Sequence, residues 1–312
     1  MPNYQGVWSL STQYQNSTGW PSPPSPALVA GNNGATATID FIDMNKTANA
    51  TDFGDLVEAN RLMAALGSAT RAIFAGGQAS SGRSNVIQYF TFGTTGSTTD
   101  FGDLLATTNS CAGSSNNTRG LINGGYSGGY SNVIQYITIA STGNATDFGD
   151  LTVGRDNHTA MASSTRSMAA GGYTGSKSDV IDYVTIASTG NATDFGNLLA
   201  ADMTLAGCAS PTRGIIGGGD GTGATTNVIQ YITIASTGNA TDFGDLSQSR
   251  KSFASFSNST FGFFAGGDPN GTKVNIIDKV TIASTGNAAD FADLVETREQ
   301  CSGCSGSHGG IA

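Results

Sequence analysis

From Asn132 to Ala140 the chain reads Asn-Val-Ile-Gln-Tyr-Ile-Thr-Ile-Ala, dense in β-branched residues and apolar on both parities. With the two-residue period of a strand, Ile134 and Tyr136 point one way and Val133, Ile137 and Ile139 the other. A strand with one wet face alternates apolar and polar, so this one belongs to a sheet covered on both sides. Around it, Ser110–Ser115 reads as a strand of small residues, with a turn through Asn117 and Arg119. Leu121–Gly125 reads as a second strand ended by paired glycines. Ser141-Thr-Gly-Asn144 supplies hairpin-turn chemistry, with Gly143 free to take positive φ, and Ala145–Leu151 closes a four-stranded unit. No segment carries a helical period.

The unit is repeated. Asp-Phe-(Gly/Ala)-(Asp/Asn)-Leu recurs with its phenylalanine at Phe53, Phe101, Phe148, Phe195, Phe243 and Phe291, intervals of 47 or 48 residues. A constant period of that length means stacked copies of one supersecondary unit, none able to bury its apolar surface alone. Sheets covered on both faces and repeated around an axis make a β-propeller. One first-strand position agrees: it holds Ala65, Gly113, Ala160, Gly207, Ser255 and Gly303, none larger than serine, as crowding at a central axis demands. The first copy begins at its second strand, Ala27–Gly31, and the chain ends on an unpaired first strand, Glu299–Ser307. Joined, they close the ring and remove its sheet edges. The expected architecture is all-β: a six-bladed propeller of four-stranded antiparallel blades over 27–312, preceded by a 1–26 extension.

These residues resemble kelch repeats. The family's marks fall on Arg155 before strand one, Gly171-Gly172 ending strand two, Tyr183 in strand three and Phe195 in strand four. The double glycine recurs at Gly76-Gly77, Gly124-Gly125, Gly218-Gly219 and Gly266-Gly267, and the tyrosine at Tyr89, Tyr136 and Tyr231. The usual tryptophan is always Phe, Phe41 and Lys279 replace the tyrosine, and the arginine, read at Arg61, Arg155, Arg250 and Arg298, is missing from two copies. The near-identical Ile-Thr-Ile-Ala-Ser-Thr-Gly-Asn-Ala-Thr-Asp-Phe-Gly copies further resemble kelch-like propellers of marine bacteriophages and large algal viruses. That resemblance implies a non-enzymatic virion or tail-associated protein, present in many copies and attaching to a host glycan or protein. The alternatives are an intracellular kelch-type interaction scaffold and, third, a glycoside hydrolase or sialidase-like propeller enzyme.

Composition narrows the partners. Net charge is −9 with charged residues only 12%, and no Lys/Arg cluster exceeds two residues, so the basic track that nucleic acid requires is missing. No run approaches the ~20 apolar residues of a membrane span, and the opening Met1-Pro2-Asn3-Tyr4 does not start a signal peptide. Cys111, Cys208, Cys301 and Cys304 follow no repeat position and read as small buried thiols.

Catalytic and metal patterns fail one by one. Asp-Phe-Gly occurs without a kinase catalytic loop or β3 lysine. Asp147 and Asp150 offer too few oxygens for Ca²⁺. Asp147-Phe-Gly149 has the spacing of a sialidase Asp-box, but Leu151 stands where the box has Thr-Trp. The two histidines, His158 and His308, have no partner at metal or triad spacing. No helix follows the run Gly217–Gly223, so no phosphate loop forms and no cofactor is expected. Asp52, Asp100, Asp147, Asp194, Asp242 and Asp290 are expected to accept backbone N–H bonds at the blade edge.

Recognition is expected where the repeats differ. The loops after Gly-Gly vary in every copy, and strand order puts them on one face with the loops that carry the arginines. The candidate binding residues are Arg83, Tyr126, Tyr130, Tyr173, Lys177, Asp220, Asp268 and Asn270, with the three tyrosines side by side. In the extension, Trp8, Leu10 and Tyr14 share one face of a strand, and Trp20 opens the stiff segment Trp20–Pro26. These four are the expected docking residues toward other virion proteins.

Overall fold

In the computed structural model, which describes residues 24–94 and 96–311, Val133–Thr138 is the third strand of a four-stranded antiparallel sheet. Ala112–Ser115, Arg119–Asn123 and Thr146–Asp150 complete that sheet, blade 3. Six such blades stand in a closed ring, each first strand packed beside the first strands of two neighbours. The protein is a six-bladed β-propeller, and no helix occurs among the described residues. Blade 1 takes its first strand, Ser302–Ser305, from the C-terminus and pairs it with Pro26–Ala30, placing Leu28 opposite Cys304. The docking residues Trp8, Leu10, Tyr14 and Trp20 lie outside the described residues.

The first strands line the axis at the expected positions. A Cβ at Gly113 would meet the carbonyl oxygen of Ala65 at 2.6 Å, which is why this ring of positions stays small. Each fourth strand carries a β-bulge at its phenylalanine. In blade 3, Ile134 faces Gly149 and Gln135 faces Asp147, so Phe148 is the extra residue and turns into the core.

The expected role of the Asp-Phe-Gly aspartates is corrected. All six are exposed on the fourth strand, and none of their carboxylates has a hydrogen bond among the described residues. The acceptor at this edge is instead the asparagine of the next blade's hairpin turn. Asn144 Oδ1 takes the Asp103 N–H at 3.0 Å, and Asn191, Asn239 and Asn287 repeat this on Asp150, Asn197 and Asp245. Alongside, Gly143 N donates to Phe101 O at 2.7 Å and Ala145 N to Asp103 O at 2.8 Å. A Cβ at Gly102 would strike Gly143 O at 2.5 Å. The Ser-Thr-Gly-Asn phrase and the Gly after Phe are thus two halves of one inter-blade joint, and their constancy is structural.

A second joint has no signature in the sequence. Arg71, Arg119, Arg166 and Arg213 each lie over the tyrosine of their own blade, 4.2 to 4.8 Å from the ring centroid. Each also donates through Nη1 to a carbonyl of the next blade, Ile139, Ile186, Ile234 and Ile282 in turn. Blade 6 exchanges the partners: Phe261 sits in the arginine's register and Lys279 in the tyrosine's, with Nζ 3.8 Å from the Phe261 centroid. The cation–π pair survives the swap.

The kelch-type arginine register also needs correction. Leu62, Ser110, Asn157, Thr204, Ser252 and Gln300 all adopt positive φ just before a first strand. Two residues earlier stand Asn60, Thr108, Arg155, Asp202, Arg250 and Arg298. Arg61 is therefore one residue off, and three blades, not two, lack the arginine. The three true arginines are fully buried rather than on the loop face.

Beyond the closing strand, the tail crosses the axis. Gly309 N donates to Ala209 O of blade 5, while His308 Nε2 lies 3.0 Å from Gly67 O of blade 2 and 3.2 Å from Ser115 Oγ of blade 3. It covers the channel on the face of the first-to-second and third-to-fourth strand turns. The described chain begins on that same face, with Ser25 Oγ 2.8 Å from Ser307 Oγ.

Candidate functional site

The opposite face carries the variable loops, and all six are held there alike. The first residue after each double glycine, or its equivalent, donates its backbone N–H to the loop entering the same blade. The pairs are Gln78 to Arg61 O, Tyr126 to Asn109 O, Tyr173 to Asp156 O, Asp220 to Met203 O and Asp268 to Lys251 O, all at 2.8 or 2.9 Å; Asn33 bonds Glu299 O at 3.0 Å. Backbone bonds place the loops without constraining their side chains, which leaves those side chains free to differ.

Neighbouring loops then touch laterally, and the chemistry changes around the rim. Arg83 of blade 2 lies 5.5 Å from the Tyr126 ring of blade 3. Tyr126 and Tyr130 meet edge to face at 5.8 Å, and Tyr130 meets Tyr173 of blade 4 edge to face at 5.6 Å. The three tyrosines expected side by side are therefore one cluster, in which Tyr130 is 40% exposed and the other two half-buried. The rings are steeply inclined to one another, so the cluster presents an edged ledge, with Tyr130 outermost.

From blade 4 onward the rim is ionic. Lys177 Nζ lies 3.2 Å from Asp220 Oδ1 and donates to Gly221 O at 2.6 Å, while Lys251 Nζ sits 3.4 Å from Asp220 Oδ2. Thr225 Oγ1 donates to Pro269 O, and Lys273 Nζ to Asn33 O. Lys177 and Asp220 are thus engaged with each other. Asp268 is buried, its Oδ1 accepting from Gly271 N and Thr272 N, so it shapes its loop rather than facing a ligand. Asn270 is exposed at that loop's tip.

Beneath the rim lies Asp202, 5% exposed and standing where three other blades have the arginine. Burial raises its carboxyl to about 7; the Met203 N–H and Lys177 oppose the shift, and Asp220 adds to it. His158 donates through Nε2 to Asn123 Oδ1 at 2.6 Å, the only polarity an amide oxygen allows. Burial, with Arg155 nearby, pushes its pKa down to about 3, so the imidazole is neutral and no base. The four cysteines are buried free thiols, as expected. No group of three His, Cys, Asp or Glu side chains suited to a metal ion occurs among the described residues.

The aromatic sector follows from the sequence; Lys251, Asp202 and the axial mouth do not. A Lys-Asp-Lys triad contributed by three successive blades leaves no spacing signal, because its members meet only when neighbouring blades pack side by side. Compared with known proteins, the chain matches no family model and no curated sequence.

Proposed function

We propose that the chain is a non-enzymatic recognition propeller whose variable-loop face binds a neutral glycan, or a protein surface rich in hydroxyls and amides. The observation that carries this reading is the contiguous sector Arg83–Tyr126–Tyr130–Tyr173, built from three successive blades on a backbone-anchored frame. Aromatic side chains amid neutral polar loops stack on sugar rings while the surroundings bond hydroxyls. With charged residues at 12%, such binding depends little on salt and is weak per site, so strength would come from many copies. The described residues begin on the face opposite the tyrosines, with Ser25 beside Ser307, which leaves the tyrosine face open to a ligand. The kelch-like resemblance and its viral examples make a virion or tail-associated attachment protein the fitting context.

The test is a Tyr126→Ala/Tyr130→Ala/Tyr173→Ala variant on a glycan array and in host-cell attachment. The variant should fold and lose binding; retained binding rules this sector out as the receptor site. Mass spectrometry of purified particles decides between a virion component and a free intracellular scaffold.

A further inference from the structure

Inside the ring of loops, the axis itself opens into a cavity of about 150 Å³, lined by the first strands of all six blades. The tail seals the other end of the axis, so the cavity is a blind pocket open on the recognition face. No Asp, Glu, Lys or Arg lines it, and its one titratable imidazole, His158, is neutral.

The mouth is built in an unusual way. Leu62 N donates to Gln300 O, Ser110 to Leu62, Asn157 to Ser110, Thr204 to Asn157, Ser252 to Thr204 and Gln300 to Ser252, at 2.6 to 3.0 Å. The six backbone bonds form a closed circle about the axis. All six residues have φ between 51° and 59°, the left-handed region, and only one other non-glycine residue among those described has positive φ. Such a conformation is strained for any residue that carries a side chain, most of all for β-branched Thr204. This chain has 44 glycines and uses many of them for positive φ elsewhere, yet none at the six mouth positions. Five of the six side chains there are polar and uncharged.

Their hydrogen-bonding capacity is partly unused. Ser110, Thr159 and Ser252 line the cavity, and their hydroxyls have no hydrogen-bond partner among the described residues. Thr204 and Gln300 are engaged with Met203 O and Arg61. Lower down, the wall is bare backbone at Gly113, Gly207 and Gly303. A volume of this size admits several waters or one sugar ring.

We infer that the axial mouth is a second binding site, for a small uncharged polyhydroxylated molecule of monosaccharide or cyclitol size. Neutral hydroxyls on a rigid circle exchange hydrogen bonds with ligand hydroxyls at little ordering cost, and the uncharged wall gives no counter-charge to an anion. The inference rests on the cavity and its rim and is independent of the tyrosine sector.

Saturation-transfer NMR of the full chain with millimolar D-glucose, D-galactose or myo-inositol tests it. At least one of these should receive saturation, and glucose 6-phosphate should bind no better than glucose. A Ser110→Gly/Ser252→Gly variant removes two mouth hydroxyls while relieving their backbone strain, so it should fold at least as well as the parent. It should bind the same probe at least tenfold more weakly, whereas the triple Tyr→Ala variant should bind it unchanged. Silence from all three neutral probes, undiminished binding by the glycine variant, loss of binding in the tyrosine variant, or preference for the phosphorylated sugar would each overturn the assignment.

Discussion

Arg155 Nη2 lies 2.6 Å from Asp182 Oδ2 with both side chains wholly buried, and the pair is one term of a choice made six times around the ring. Blades 6 and 1 repeat it with Arg250–Asp278 at 2.9 Å and Arg298–Asp40 at 2.7 Å. In blades 2, 3 and 5 the third strand instead carries Gln88, Gln135 and Gln230, and the arginine's register holds Asn60, Thr108 and Asp202. Whichever residue is present, its side-chain oxygen accepts a backbone N–H from the preceding blade. The donors are Val295, Val57, Leu105, Thr152, Leu199 and Ser247, to Asp40, Gln88, Gln135, Asp182, Gln230 and Asp278 respectively. The inter-blade latch is constant; aspartate serves where an arginine neutralises it, and glutamine where none does.

Breaking one buried pair should therefore be costly and exchanging it mild. Asp182→Asn leaves the Arg155 guanidinium buried without its counter-charge and should cost about 3–5 kcal/mol. The double variant Arg155→Thr/Asp182→Gln copies the Thr108/Gln135 solution of blade 3 and should recover most of that loss. Urea unfolding of both variants checks it; a double variant no more stable than the single would show that the two registers are not coupled.

Ring closure predicts a contrast between two truncations. Removing residues 302–312 deletes the first strand of blade 1 and exposes two sheet edges, so the chain should aggregate or melt far below the parent. Removing 306–312 takes away only the axial cover and should leave a folded ring. Thermal melting with light scattering separates the two, and equal behaviour would refute the closing role of Ser302–Ser305.

At the hairpin joint the asparagine, not the aspartate, should matter. Asn191→Ala loses the acceptor of the Asp150 N–H, held at 3.1 Å, and should cost on the order of 1 kcal/mol. Asp147→Asn should be nearly neutral, and EDTA should change neither protein. The same unfolding measurements suffice, with a costly Asp147→Asn as the contrary result.

Stability should fall as pH rises toward neutrality because of Asp202. Burial raises its folded carboxyl from the ordinary 3.8 to about 7, so the folded state holds this proton more tightly than the unfolded chain. That contribution is complete below about pH 4, is lost progressively up to pH 7 and is absent above it. Asp202→Asn should therefore melt several degrees higher than the parent at pH 8 and close to it at pH 4. A difference independent of pH would remove Asp202 as its source.

Blade number, the four strands of each blade, the closing strand and the face that carries the variable loops can all be read from the residue order. Those follow from periods: a two-residue period sets the strands, the 47–48-residue period sets the copies, and the mismatched ends set closure. Even the tyrosine cluster was legible, because adjacent copies place equivalent loops side by side. The features that depend on folding lie between strands and between copies rather than along one stretch of chain. The asparagine at the joint, the Arg–Tyr clamp and its Lys279–Phe261 exchange, and the Asp/Gln latch join residues of different blades or different strands, with no short spacing to mark them. The circle of left-handed residues at the axial mouth is further still from any local signal. Its six carbonyls and six N–H groups are satisfied only by one another, so the feature exists only once the ring has closed.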